Sequence, residues 1–221
     1  MSWREVSWPG CSRVLLRQFP LDSFDTEGSR DAILSAEELR RASHFRRARD
    51  RRRFVAGRAF VRESLGELLG VAPDRIVFGT GAFGRPEILS PATSLSFSLA
   101  HAEGEALLAV ATNGRVGVDI EERHAAPDAE ALAARALAPE ELEEFLLRPA
   151  AERESFFLVR WTAKEALLKA AGVGLSSDPA RIVLERGQDG CFIGRGDPAI
   201  QGLRAGLVDA GPRFIAALAT G

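Results

Sequence analysis

Apolar positions recur along the chain with two different periods, and the changes between them mark its elements. Leu39, Ala42 and Phe45, then Phe54, Val61, Leu65 and Leu68, keep a helical spacing. Ser35-Ala-Glu-Glu38 opens that stretch as a capping box: the serine oxygen can accept the amide three residues on while Glu38 reaches back. The pattern breaks around Arg49-Asp50 and stops at Gly70, which predicts one kinked helix or two in succession. After Pro73 the period shortens. Arg75 to Phe78 is short and β-branched, Gly79 to Gly84 is turn-rich, and Leu95, Phe97 and Leu99 alternate with Ser96 and Ser98. Ala106 to Ala111 and Val116 to Glu121 read as strands flanking Asn113-Gly114, a strong hairpin signal because both residues tolerate positive φ. A second helical zone runs from Asp128 to Ala171. Strands are then predicted at Ile182 to Glu185, Cys191 to Ile193, Leu203 to Val208 and Phe214 to Ala219.

Helices followed by strands thus occur twice, and the two halves align residue on residue. With Gly70 on Gly172, Phe54 falls on Phe156, Arg58 on Arg160, Arg62-Glu63 on Lys164-Glu165, Leu65 on Leu167 and Val71 on Val173. After a short insertion, Arg75-Ile-Val meets Arg181-Ile-Val. The expected fold class is α+β, a pseudo-two-fold tandem of two similar lobes covering residues 1–110 and 111–221.

With 221 residues, 46% of them hydrophobic, the chain can bury its cores without staples. Its two cysteines, Cys11 and Cys191, are too far apart for a Cys-x-x-Cys site and read as free thiols. The N-terminus lacks a leader pattern and no stretch is apolar enough to span a bilayer, so a cytoplasmic location with no membrane partner is expected. The net charge of −2 disfavours a general nucleic-acid binder, yet arginine crowds residues 40–62 while acids dominate residues 119–154. An arginine-rich module gripping nucleic-acid phosphates would account for Arg46 to Arg53 but not for those acids, and a solvated helix face accounts for most of the arginines. Glu140 to Glu144 follow Ala138-Pro139 and suit the first turn of a helix.

In Val116-Gly-Val-Asp-Ile-Glu121 the apolar residues share one face, which leaves Gly117, Asp119 and Glu121 on the other. Two carboxylates side by side on a strand repel one another. Either the face is solvated or a hard, oxygen-seeking cation such as Mg²⁺ lies between them. Farther on, Phe156 to Gly172 is a glycine-closed helix on which Trp161, Glu165 and Lys169 follow at one-turn spacing. A Glu/Lys pair four residues apart is ordinarily a surface ion pair.

Taken together, Gly-Val-Asp-Ile-Glu121 and Trp161-Thr-Ala-Lys-Glu-Ala-Leu-Leu-Lys-Ala-Ala-Gly172 resemble the signature pair of the 4′-phosphopantetheinyl transferases, at the spacing of the larger, two-lobed Sfp-type group. Phe97-Ser-Leu-Ala-His101, Gly84-Arg-Pro86 and Arg53-Phe-Val-Ala-Gly-Arg58 are similar to further motifs of that family. The resemblance implies coenzyme A in a cleft between two lobes. It implies Mg²⁺ on Asp119, Glu121 and Glu165, with Arg41, Arg85, His101 and Arg53 toward the nucleotide phosphates. Ser98 stands where the family often has asparagine, and Ala100 where it often has serine, so nucleotide donors are altered. Lys169 would contact the pyrophosphate and stabilise the leaving group.

The implied reaction moves phosphopantetheine from coenzyme A to a serine of an acyl or peptidyl carrier protein, in polyketide or nonribosomal peptide synthesis, releasing 3′,5′-ADP. Charge develops on phosphoryl oxygens, which Mg²⁺ and Lys169 would stabilise, while Glu165 or a water that it orients takes the serine proton. Catalytic roles therefore fall to Glu165, Lys169 and Asp119. The partners expected are coenzyme A and a carrier, with no nucleic acid, and the chain is expected to be a monomer. Rival readings are an inactive relative that binds coenzyme A or carriers, and a hydrolase of coenzyme A phosphates. His44 and His124 read as ordinary histidines.

Overall fold

Glycines end both long helices. In the computed structural model, which describes residues 2–6, 13–23, 30–123 and 128–221, helices of 22 residues run over Ala48–Leu69 and Ala150–Ala171. Each is stopped by a glycine in the left-handed region, Gly70 at φ 66° and Gly172 at φ 76°, where a Cβ would be strained. Shorter helices precede them: α1 (Ala36–Ser43) before α2 (Ala48–Leu69), and α3 (Ala129–Ala136) and α4 (Pro139–Leu147) before α5 (Ala150–Ala171). The Ser35/Glu38 capping box is present. The break between α1 and α2 falls at residues 44–47, a few positions earlier than the apolar spacing suggests.

Eleven strands complete the described residues: β1 (Arg4–Val6), β2 (Val14–Pro20), β3 (Val77–Thr80), β4 (Pro86–Ser90), β5 (Ser96–Ala102), β6 (Glu105–Ala111), β7 (Val116–Glu122), β8 (Val183–Arg186), β9 (Phe192–Arg195), β10 (Arg204–Val208) and β11 (Phe214–Thr220). They form antiparallel sheets in the orders β1-β2-β6-β5 and β7-β11-β10-β9-β8, with β3-β4 a separate hairpin. The repeat is physical. The strand before the helices pairs with the last strand of its own half, β2 with β6 and β7 with β11, and each long helix leads into a hairpin, β3-β4 or β8-β9. Strands β1, β2 and β4 carry no clear period-2 signature, so the apolar pattern does not predict them.

The Asn113-Gly114 hairpin is overturned. Strand β6 is flanked by β2 and β5, and β7 pairs with β11, so residues 112–115 step from one sheet to the other. Gly114 does take positive φ, at 84°, but the turn joins sheets rather than ladder partners. Strands β5 and β7 meet edge to edge, tied by the Val118 amide donating to Ser98 Oγ at 3.1 Å and Ser96 Oγ donating to the Gly114 carbonyl at 2.8 Å.

The two halves also share a buried ion-pair device. Glu38, whose side chain caps α1, accepts from Arg58 and Arg62, and Arg62 in turn holds the carbonyls of Pro73 and Ile76. Glu141 accepts the Ala138 amide at the start of α4 and pairs with Lys164 at 2.5 Å, and Lys164 holds the carbonyls of Ala136 and Pro179. Buried charges persist when paired and multiply hydrogen-bonded, and here each pair locks a short helix, a long helix and the following turn together. Apolar clusters lie between α2 and β6, between α5 and the second sheet, and across the inner faces of both sheets. No described helix is long and apolar enough to cross a membrane.

Candidate functional site

Gly117 sets the site's geometry. A side chain there would strike the Ala166 carbonyl and the Ala170 backbone, so its absence lets α5 lie directly on β7. Asp119, on the same face of β7, is thereby covered and buried, in place of the solvated surface that alternation alone would allow. Lys169 crosses from α5 and donates to Asp119 Oδ1 at 2.6 Å. The helical Glu165/Lys169 spacing is therefore not the ion pair formed: the buried aspartate takes the lysine. Glu121, two residues along β7, accepts from the Trp161 indole N–H at 3.0 Å.

Three carboxylates consequently face one lysine in a partly buried space. Burial raises the pKa of Asp119, with Lys169 opposing the shift. Burial and then the Asp119 charge raise Glu121. Glu165 goes up to about 7, driven first by burial, then by Asp119, with Lys169 pulling it down and Glu121 adding to the rise. Asp119 Oδ2 and Glu165 Oε1 are buried with no hydrogen-bond partner. Buried carboxylate oxygens without partners are costly, and a hard divalent cation is the ligand such a donor set fits. Among the described residues, no three His, Cys, Asp or Glu side chains are grouped so as to hold a metal ion as they stand, and Lys169 donates to Asp119 Oδ1.

Two cavities lie beside this space and share Leu99 and Arg58 in their walls. One, of about 320 Å³, is bounded by Arg85, Ser98, Lys169 and Phe83. The other, of about 450 Å³, is bounded by Arg41, Arg53, Phe54 and His101. Arg85 reaches over the end of α5 to the carbonyls of Ala170 and Val116, and burial lowers its pKa. Arg41 lies over the Phe54 ring. Partial burial, together with the nearby Lys169 and Arg53 charges, lowers the pKa of His101, against Asp119. Arg53 is already gripped through two hydrogen bonds by Asp22, at 2.7 and 2.6 Å, so it presents a neutralised pair rather than a bare cation. The Ser98 oxygen accepts from the Val118 amide, which leaves its hydroxyl hydrogen and a second lone pair for other partners. The His44 ring donates from Nδ1 to the Arg40 carbonyl at 2.7 Å, and Cys191 is buried and free; Cys11 and His124 lie outside the described residues.

Sequence reasoning missed Arg58, Phe83, Asp22 and the Trp161–Glu121 bond. Two signals in the sequence bear on Arg58, its match to Arg160 in the repeat and its place at the end of the Arg53-Phe-Val-Ala-Gly-Arg58 motif. The repeat also reveals a reversed copy of the site: at the offset relating Gly70 to Gly172, Arg17 answers Asp119 and Glu67 answers Lys169, and Arg17 pairs with Glu67 at 2.8 Å. Glu63, the counterpart of Glu165, pairs with Arg30 at 3.3 Å.

Residues 115–202 match the family described as the 4′-phosphopantetheinyl transferase superfamily. The 4′-phosphopantetheinyl transferase HetI of Nostoc sp. is 38% identical over 167 residues, 74% of this chain and 70% of that protein. The 4′-phosphopantetheinyl transferase psf-1 of Bacillus pumilus is 30% identical over 158 residues, 72% of this chain and 66% of that protein. Among solved structures, the holo-[acyl-carrier-protein] synthase of Thermotoga maritima gives a TM-score of 0.40 at 27% identity, covering 48% of this chain and 61% of that one. On the sequence identity and the extent of the match to HetI, this chain belongs to the 4′-phosphopantetheinyl transferases.

Proposed function

We propose that this transferase moves the phosphopantetheine of coenzyme A onto a serine hydroxyl of an acyl or peptidyl carrier protein, with Mg²⁺ held by Asp119, Glu121 and Glu165. The observation that carries the reading is the pair of buried, unpartnered oxygens, Asp119 Oδ2 and Glu165 Oε1, beside Lys169. When bound, the cation supplies a Lewis acid for the pyrophosphate oxygens.

The rest of the work falls to side chains. In the reaction, the serine oxygen forms a bond to the phosphorus bearing the pantetheine, and the bond from that phosphorus to the bridging oxygen breaks to release 3′,5′-ADP. Lys169, at the wall of the smaller cavity, places an ammonium where charge gathers on the departing phosphate. Glu165, or a water that it orients, would take the serine proton. Arg41, Arg85 and His101 would hold the nucleotide phosphates along the two neighbouring cavities. Arg53 would join them by exchanging Asp22 for a phosphate, and Ser98 would donate its hydroxyl hydrogen.

The halves 1–110 and 111–221 act in this reading as lobes with coenzyme A between them. Arg85 of the first and Lys169, Gly172 and Gly174 of the second border one cavity, which supports that placement. Because both lobes lie in one chain, a monomer suffices. Intact-mass spectrometry of apo carriers incubated with protein, coenzyme A and Mg²⁺ tests the proposal. One phosphopantetheine should be added per carrier, and none with EDTA or with Glu165→Ala. Addition that survives both controls would sink the metal assignment, and loss of coenzyme A without carrier modification would indicate hydrolysis.

A further inference from the structure

Glu121 is an awkward ligand. It sits two residues from Asp119 on the same face of β7, whose charge pushes its carboxylate away, and a free glutamate side chain loses rotamer freedom worth up to about 2 kcal/mol when it is fixed. The structure already fixes it. Trp161, one turn before Glu165 on α5, donates its indole N–H to Glu121 Oε1 at 3.0 Å, and among the described residues no other side chain donates to that carboxylate. The indole is itself held, stacked on Phe157 with ring centroids 6.3 Å apart and planes at 18°. Its ring also forms a wall, with Leu132, Ala136 and Leu158, of a largely apolar cavity of about 370 Å³ that Glu121 and Arg135 also line. An indole N–H is a donor only and does not titrate, so the bond holds Glu121 at every working pH and leaves one oxygen to face the metal.

We infer that Trp161 is a positioning residue for the cation: it binds one oxygen of Glu121 and thereby presents the other. This rests on the metal reading above. Partners that orient metal ligands typically carry about 10–100-fold in affinity, and the lower end is expected here because one ligand of three is affected. Trp161→Phe keeps a ring on Phe157 but has no N–H. Mn²⁺ titration of the purified protein, followed by the electron paramagnetic resonance of free Mn²⁺, should show affinity weakened about 10-fold in Trp161→Phe. Phe157→Leu, which loosens the stack but keeps the N–H, should lose thermal stability with affinity within twofold of wild type. In a Glu121→Ala background, Trp161→Phe should have no further effect on affinity.

A second readout does not depend on that variant folding. In protein whose other tryptophans, Trp3 and Trp8, are replaced by phenylalanine, Mn²⁺ should quench the remaining emission at the concentrations that fill the site. Unchanged affinity in Trp161→Phe, an equal loss in the Glu121→Ala background, or Mn²⁺ binding without quenching would each overturn the inference while leaving the metal site standing. No Mn²⁺ binding by wild type would instead remove the metal reading and this inference with it.

Discussion

Stripped of divalent cations, the protein should lose stability as the pH rises from about 5 to 7.5, because folding has buried acids that resist ionisation. Glu165 is one source of the effect. Its pKa rises from 4.5 to about 7 on folding, so the fold favours the protonated form. That contribution is complete below the unfolded value and lost as the pH climbs through the folded one. At about 1.36 kcal/mol per pKa unit, the span amounts to about 3 kcal/mol. Asp119 and Glu121 shift in the same direction, and Lys169 opposes all three. For a chain of this size about 3 kcal/mol corresponds to roughly 6–12 °C in Tm. Calorimetric melts in EDTA across that pH range would measure the slope, with Glu165→Gln as the comparison, since its amide cannot ionise. Mg²⁺ should restore the Tm near pH 7.5 and do little near pH 5, where protons occupy the same oxygens. A flat Tm in EDTA, or an equal slope in Glu165→Gln, would refute the reasoning.

Two further outcomes follow from the packing. Lys164→Met leaves Glu141 buried without its cation and should cost about 3–5 kcal/mol in guanidinium unfolding; a loss under about 1 kcal/mol would show that Arg160 alone suffices. Gly117→Ala should yield little folded protein or a displaced α5 that has lost the Lys169–Asp119 pair, as judged by circular dichroism and Mg²⁺ binding; near-native stability would mean that α5 can retreat without consequence.

The parts of the fold visible in the sequence are those with local causes. The Ser35 cap, the glycine stops after α2 and α5 and the alternation in β7 each depend on residues a few positions apart. Strand partnership does not: β7 joins β11 across nearly a hundred residues, and the nearby Asn113-Gly114 turn misleads because a turn that suits a hairpin also suits a step between sheets. Strand β2 escapes notice for a related reason, since Val14-Leu-Leu mixes both faces of a strand with buried sides. At the site, residue types and spacing identify the carboxylates, but contacts choose among them. Lys169 passes over its helical neighbour for Asp119, the more deeply buried of the two carboxylates. Asp22, which neutralises Arg53, comes from a segment with no motif at all.

The reversed copy in the first half suggests how the load is divided. There Arg17 with Glu67, and Arg30 with Glu63, answer charge with charge at the rim of the protein, so that copy is balanced by its own side chains. In the second half three acids meet one lysine, and Asp119 Oδ2 and Glu165 Oε1 are buried without a hydrogen-bond partner. A duplicated architecture can tolerate this, because one copy holds the chain together while the other is left unfinished. Repairing the unfinished copy, by giving β7 an arginine where Asp119 stands and α5 a glutamate where Lys169 stands, should produce a sturdier protein that does nothing.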